Sequence, residues 1–273
     1  MMGNALIQIE NVSVAYGSPP HPVLTGIDLH VEEGEFVCLL GQTGCGKSTL
    51  LRIVLGSEKP AGGRVLIDSV EHHQPDRTCG YVPQKYSLFP DKTVLDNITF
   101  GPEVSEFNLF TRLTPAYFRR RRQFRQEAMR YIRKMGLQDA DAGKYPDHLS
   151  GGMQQRVAIA QALINKPRIL LLDEAFSALD PGTRKDMQRL LRRLWRDTGI
   201  TVLFVTHNTQ EALYLGSRVV VLAKETPKQG SRIALELPVP EACPEVQIST
   251  LVMRLDCASG GIRQSENIEL ATA

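Results

Sequence analysis

The sequence predicts an α/β fold with a mainly parallel core sheet, a β-rich N-terminal part and an inserted helical segment. Three observations carry this. Short, wholly apolar runs such as 169–172 and 219–223 have the pattern of strands covered on both faces, as parallel sheets require. Between residues 151 and 223 such runs alternate with stretches of helical periodicity. From about residue 90 to 149 the strand signals stop and helical ones take their place.

Taken in order, residues 6–40 first alternate, with Leu6, Ile7, Val12, Val14, Leu24, Ile27, Leu29 and Val31 apolar, and then run apolar over 36–40. These are strand signals, and Gly34 breaks the last two. A Gly-rich stretch, 41–46, opens a helix over about 48–55 that Gly56 is placed to end. Strands are expected near 65–67 and 80–82. The helical region has its longest segment at 119–135, with Gly136 as a stop. The α/β pattern then resumes with helix 151–165 and strand 168–172. Helix 181–197 follows, with Asp180 as its cap and Pro181 in its first turn. Strand 201–205, helix 209–215 and strand 218–223 complete it. Residues 224–273 lose periodicity and gain Pro, Gly and Ser, which predicts a tail with at most short strands.

A chain of 273 residues, 42% hydrophobic and 23% charged, has enough apolar material for one large domain with an insert, and disorder throughout is excluded. Its net charge of +2 favours no particular partner. Aromatic platforms and a recognition module are lacking, so nucleic acid is not expected as a partner. The five cysteines show no C-x-x-C pair and read as free thiols of a reducing compartment. The N-terminus lacks the basic flank and apolar stretch of a signal peptide. No apolar run approaches the roughly 20 residues that span a bilayer. Any membrane role is therefore expected to come through a partner protein.

The chemistry begins at Gly41-Gln42-Thr43-Gly44-Cys45-Gly46-Lys47-Ser48-Thr49, which fits the P-loop pattern G-x-x-x-x-G-K-S/T. Its glycines let the backbone turn tightly so that successive N–H groups converge on a phosphate chain. The helix start behind it adds a favourable dipole. Lys47 supplies a charge for the β- and γ-phosphates, and Ser48 an oxygen suited to Mg²⁺. Farther on, a buried strand ends in Asp173 and Glu174. Asp173 is placed to hold Mg²⁺, directly or through water, and Glu174 to polarise the attacking water. Together they mark a P-loop nucleotidase that uses Mg²⁺, a pattern that would fit many families.

Leu149-Ser150-Gly151-Gly152-Met153-Gln154-Gln155-Arg156 narrows this further. It is a Gly-rich helix start with a free hydroxyl, a second anion site, and it resembles the signature motif of ATP-binding cassette (ABC) proteins. The resemblance covers nearly all of residues 6–223. It implies an ABC ATPase domain over 6–223 with an antiparallel N-terminal β part, a helical subdomain inserted at about 90–149, and a tail, 224–273, of unknown role. It also implies that Ser150, Gly151, Gly152 and Met153 reach the ATP of a partner subunit. Tyr16 falls where the family stacks an aromatic on adenine. Gln84 matches the glutamine that senses Mg²⁺ and the γ-phosphate and faces the membrane partner. Residues 177–180, ending in Asp180, match the loop that links the two sites of the dimer, and His207 the histidine that contacts the γ-phosphate. Three positions depart from the family pattern: Met153 for Gln, Ala175 for Pro, and Asn208 for Asp. Asn208 is an equally good N-cap, and Glu211 three residues on suggests a capping box.

The resemblance further implies pairing with a second copy or a homologous ATP-binding subunit, with integral membrane permease subunits and with an external substrate-binding protein. The place of work would be the cytoplasmic face of the inner or plasma membrane. Residues 187–221 are similar to cassettes of nitrate, sulfonate and taurine uptake, which implies import of a small anion. Export, lipoprotein release and a soluble non-transport ATPase are the alternatives. The basic run Arg119 to Arg122, with Arg125, reads as a solvated helix face, with anionic lipid headgroups or acidic permease loops as the sharper readings.

Overall fold

The computed structural model describes residues 5–85, 87–108, 111–224, 226, 229–240 and 245–259. In chain order the strands and helices are β1 (Ala5–Tyr16), β2 (His21–Glu32), β3 (Phe36–Leu40), α1 (Lys47–Leu55), β4 (Gly62–Ile67), β5 (Val70–Glu71) and β6 (Cys79–Val82). Then come α2 (Val94–Glu106), α3 (Pro115–Lys134), α4 (Gly151–Leu163), β7 (Ile169–Asp173) and α5 (Pro181–Thr198). The last are β8 (Thr201–Thr206), α6 (Thr209–Leu215), β9 (Arg218–Ala223), β10 (Arg232–Pro238) and α7 (Glu245–Ser259). The chain divides into two compact units, one formed by the segments before Arg77 and after Leu194, the other by Arg77–Leu194.

In the first unit β1 pairs antiparallel with both β2 and β4, so the N-terminal β part is antiparallel. Its inward positions keep the two-residue period in two stretches, Ile7 with Ile9 and Val12 with Val14, with a register shift between them. β3 is different. All five of its residues are buried, and it lies parallel between β8 and β9, with Leu40 opposite Thr206 on one side and Val221 on the other. β10 adds an antiparallel edge to β9. Phe36 anchors this core, its ring edge-on to Trp195 at 5.6 Å, while the Trp195 indole N–H donates to the Gly34 carbonyl at 2.8 Å.

In the second unit β6 and β7 are parallel, Cys79 opposite Ile169 and Val82 opposite Leu172. Gly80 is required by close approach: a Cβ there would stand 2.8 Å from the Ala162 carbonyl of α4. Buried Asn97 in α2 donates to the carbonyls of Phe89, Lys92 and Thr93 and accepts the Phe89 N–H, which pins the loop ahead of that helix.

The expectation of a tail with at most short strands is corrected. β10 is a seven-residue strand and α7 a fifteen-residue helix. α7 packs on α6 and β9. Leu251 and Leu255 are one turn apart in it, and Leu255 is fully buried. Pro and Gly ahead of β10, and two prolines ahead of α7, dilute a short amphipathic signal. Cys38, Cys45 and Cys79 are buried free thiols and Cys257 an exposed one, while Cys243 lies outside the described residues.

Candidate functional site

Each unit carries its own cluster of the expected residues, at the C-terminal ends of parallel strands. In the first unit the P-loop leaves β3 directly after Leu40, and His207 leaves the neighbouring β8 directly after Thr206, the residue opposite Leu40. The parallel register therefore places Gly41 and His207 at adjacent strand ends, where open α/β sheets bind ligands. Gly41 has no room for a side chain, since a Cβ would stand 2.4 Å from the Leu222 carbonyl on β9. Gly46 takes φ 95 as the N-cap of α1, and no side chain caps that helix. Its first N–H groups and dipole face the loop, the arrangement that suits a phosphate.

Lys47 is 4% exposed, and its ammonium donates to the carbonyls of Gly41 at 2.8 Å and Gln42 at 2.9 Å. The loop thus holds its cation by its own backbone. Beside it, burial raises the Cys45 thiol pKa, with the nearby Lys47 charge opposing, so this cysteine stays protonated. Gln42, Thr43 and Gly44 are exposed, Ser48 is half-buried and Thr49 buried.

His207 is exposed and held from both sides. The Thr206 hydroxyl donates to Glu211 at 2.6 Å and accepts the Asn208 N–H at 3.0 Å. Asn208 caps α6 as expected, its Oδ1 accepting from the Glu211 N–H at 3.0 Å. The reciprocal half of the capping box is corrected: the Asn208 N–H, which the box would give to Glu211, goes to the Thr206 hydroxyl, and that hydroxyl in turn donates to Glu211. Tyr16 is partly exposed at the end of β1, and its hydroxyl donates to Glu58, which also receives Arg52 Nε at 3.0 Å. Glu58 and Arg52 escaped sequence reasoning because 42 residues separate Tyr16 from Glu58.

In the second unit Gln84 lies two residues beyond Val82 and Glu174 two beyond Leu172, the strand partners. The register brings them together: Gln84 Nε2 donates to Glu174 Oε2 at 3.0 Å. Asp173, 5% exposed, receives the Tyr81 hydroxyl at 3.4 Å. Glu174 has φ 44, a left-handed conformation that disfavours side-chain-bearing residues and concentrates at functional sites.

Ser150 is the N-cap of α4, its Oγ accepting from the Met153 N–H at 3.3 Å. Gly151 is exposed, whereas Gly152 is buried with its Cβ position 2.3 Å from Thr183 Cγ2 at the start of α5. Gln154 ties the approach to α4, donating to the Pro146 carbonyl at 2.8 Å. Asp180 accepts the N–H groups of Gly182 and Thr183 at 3.1 and 3.0 Å, and hydrogen bonds from Thr183 hold its carboxyl below the usual range. Arg184 clamps the same segment through the carbonyls of Phe176 and Leu179. An arginine one turn inside the cap was the signal for it.

Ser48, Asp173 and Gln84 all offer oxygen, the donor type Mg²⁺ prefers. Among the described residues no three His, Cys, Asp or Glu side chains gather to hold a metal. Among the described residues, too, no helix is long and apolar enough to cross a membrane.

Residues 24–177 match a family model described as ABC transporter. The spermidine/putrescine import ATP-binding protein of Mycoplasma capricolum is 40% identical over 231 residues, 84% of this chain and 62% of that protein. The chain thus spans less than two thirds of that relative's length. The aliphatic sulfonates import ATP-binding protein of Pseudomonas fluorescens is 37% identical over 250 residues, 92% of this chain and 83% of that one. A solved dimeric ATP-binding cassette in a post-hydrolysis state, bound to ADP and Pi, is 31% identical with a TM-score of 0.71, over 86% of this chain and 100% of that one.

Proposed function

The chain belongs to the ABC transporter family, and from that premise we propose that it is the ATP-binding and ATP-hydrolysing subunit of an importer. The observation that carries the reading is the end of β7, where a fully buried strand delivers Asp173 and then a conformationally strained Glu174 bonded to Gln84. The loop N–H groups and the α1 terminus bind the phosphate chain of ATP, and Lys47 sets a fixed charge against its β- and γ-phosphates. Ser48, Asp173 and Gln84 would hold Mg²⁺, which when bound supplies charge neutralisation at the phosphates. Glu174 accepts a hydrogen bond from the attacking water and orients it toward the γ-phosphorus, while the Gln84 amide fixes the carboxylate. The P–O bond to ADP breaks as water adds, and phosphate leaves. His207 contacts the γ-phosphate, and Tyr16 stacks on adenine.

Two copies close around two ATP molecules, each presenting the Ser150–Met153 segment to its partner's nucleotide and Asp180 to the shared interface. The dimeric state of the solved cassette supports this. Closure drives separate permease subunits at the cytoplasmic face of the membrane, fed by an external binding protein. For cargo we keep a small anion of the nitrate, sulfonate or taurine kind, supported by the sulfonate importer that matches 92% of the chain. The polyamine importer, whose cargo is cationic, is the competing relative. ATP sites do not touch cargo, so the test is stimulation of the reconstituted complex by loaded binding protein. Response to a polyamine or sugar alone would overturn the anion reading.

Glu174→Gln tests the core of the proposal. ATP binding should persist, turnover should fall by about 10²–10⁴-fold, as for loss of a positioned proton-transfer group, and a closed dimer should accumulate in ATP and Mg²⁺. Near wild-type hydrolysis, or a monomer by size exclusion at saturating ATP, would show the role to be misassigned.

A further inference from the structure

One surface of the second unit takes no part in this chemistry. At the turn Thr111–Leu113 and the start of α3, Leu113 is 84% exposed and Phe118 61% exposed, and Val104 of α2 is half exposed. Phe118 is not loose. Its ring stands edge-on to Tyr117 at 5.5 Å, and buried Tyr117 stands edge-on to Phe107 at 5.2 Å and donates its hydroxyl to Glu103 at 3.2 Å. Large apolar side chains held outward on a rigid support mark a contact surface.

The charges around them are sorted. Residues 103–126 contain six arginines and two glutamates. Arg120 makes two bonds of 2.8 Å to Glu106, Arg121 reaches Glu103 at 3.3 Å and Arg125 reaches Asp96 at 2.8 Å. These pairs fasten α3 to α2 and occupy the acids of α2. Arg119 and Arg122 are exposed and make no ion pair or hydrogen bond among the described residues. Arg122 follows Phe118 by one helical turn and so shares its face. The basic run is therefore two sets: three arginines that build the subdomain, and two left with the exposed Phe and Leu.

We propose that this tip, with Leu113, Phe118, Arg119 and Arg122, rests on an anionic lipid surface. Leucine and phenylalanine enter the boundary between headgroups and acyl chains, and the two guanidinium groups meet lipid phosphates, the combination that holds interfacial segments. A protein groove is the poorer fit, because a side chain that lines one keeps neighbours on several sides, whereas Leu113 stands almost wholly clear. The contact goes beyond the proposed ATPase role and would orient the subunit directly on the bilayer, in addition to its permease.

The experiment is co-sedimentation of the purified full chain with vesicles of phosphatidylcholine alone or mixed with phosphatidylglycerol. Wild type should pellet with the anionic vesicles, and high salt should weaken this. Arg119→Glu/Arg122→Glu and Leu113→Ser/Phe118→Ser should each lower partitioning by about tenfold or more. Thermal melting and ATP binding in solution, expected to be unchanged, show that the variants fold. Equal binding to both vesicle types, no binding to anionic vesicles, or variants that bind like wild type would overturn the proposal. So would variants that lose a co-purifying permease while wild type ignores lipid, which would make the tip a protein contact. Wild-type binding to anionic vesicles that both variants lose, in a chain that proves inactive as an ATPase, would leave this surface standing and remove the catalytic reading.

Discussion

Helices α1 and α4 both begin at glycine-rich segments, and they are finished in opposite ways. The N-cap of α1 is Gly46, with no side chain on its first N–H groups, and a buried lysine is folded over the loop. The N-cap of α4 is Ser150, whose hydroxyl already serves the Met153 N–H, though at a long 3.3 Å. On the proposed function the difference has a use. The first terminus is prepared for a phosphate of its own nucleotide. The second has one of its N–H groups served by Ser150, whose own O–H remains able to donate, so a partner's γ-phosphate can be met there without breaking the internal bond.

Among the changes that bear on this contrast, the largest effect should come from Lys47→Ala. Loss of a buried, charge-assisted contact to the phosphates should weaken ATP binding by about 10–100-fold, read by titration with a fluorescent analogue. Unchanged affinity would break the contrast, because the α1 end would then need no cation. Ser150→Arg comes next. The isolated subunit should bind ATP within about twofold of wild type, while cooperative hydrolysis drops by about tenfold or more through the blocked partner site. Mixed with Lys47→Ala, it should regain part of the activity, since one of the two sites is then intact. No recovery, with protomer exchange verified, would place the α4 end outside any composite site. The smallest effect is expected for Gly152→Ala. The new methyl meets Thr183 Cγ2 at 2.3 Å, and Thr183 can rotate, so a loss of about 1 kcal/mol is expected. A thermal melt would read it, and Thr183→Ser in the same chain should restore part. A melt that does not move would mean that α4 is not seated through this contact.

The sequence made much of this legible where the signal is local. Gly41 to Thr49, the run that ends at Asp173, and the caps Ser150, Asp180 and Asn208 were readable because each rests on neighbours within a few residues. The contacts that complete them were not. The bond from Gln84 to Glu174 joins residues 90 positions apart, and it becomes visible only when β6 and β7 are in register. The Glu211 carboxylate meets the Thr206 hydroxyl only five residues back, a contact set by the turn from β8 into α6. The basic run read as one solvated face because its acidic partners lie on α2, 14 to 29 residues earlier. α7 was hidden by the composition around it.

The placement of β3 between β8 and β9 limits how the nucleotide loop could change over generations. Gly41 is fixed by a carbonyl of β9, and Gly46 by Leu24, 2.7 Å from where its Cβ would be. Gln42, Thr43 and Gly44 are exposed, but Gly44 has φ 81, which favours glycine. Drift in this loop is therefore channelled through two adjacent positions. A lineage could retune how the loop's outer surface meets its surroundings there without disturbing the cradle behind it.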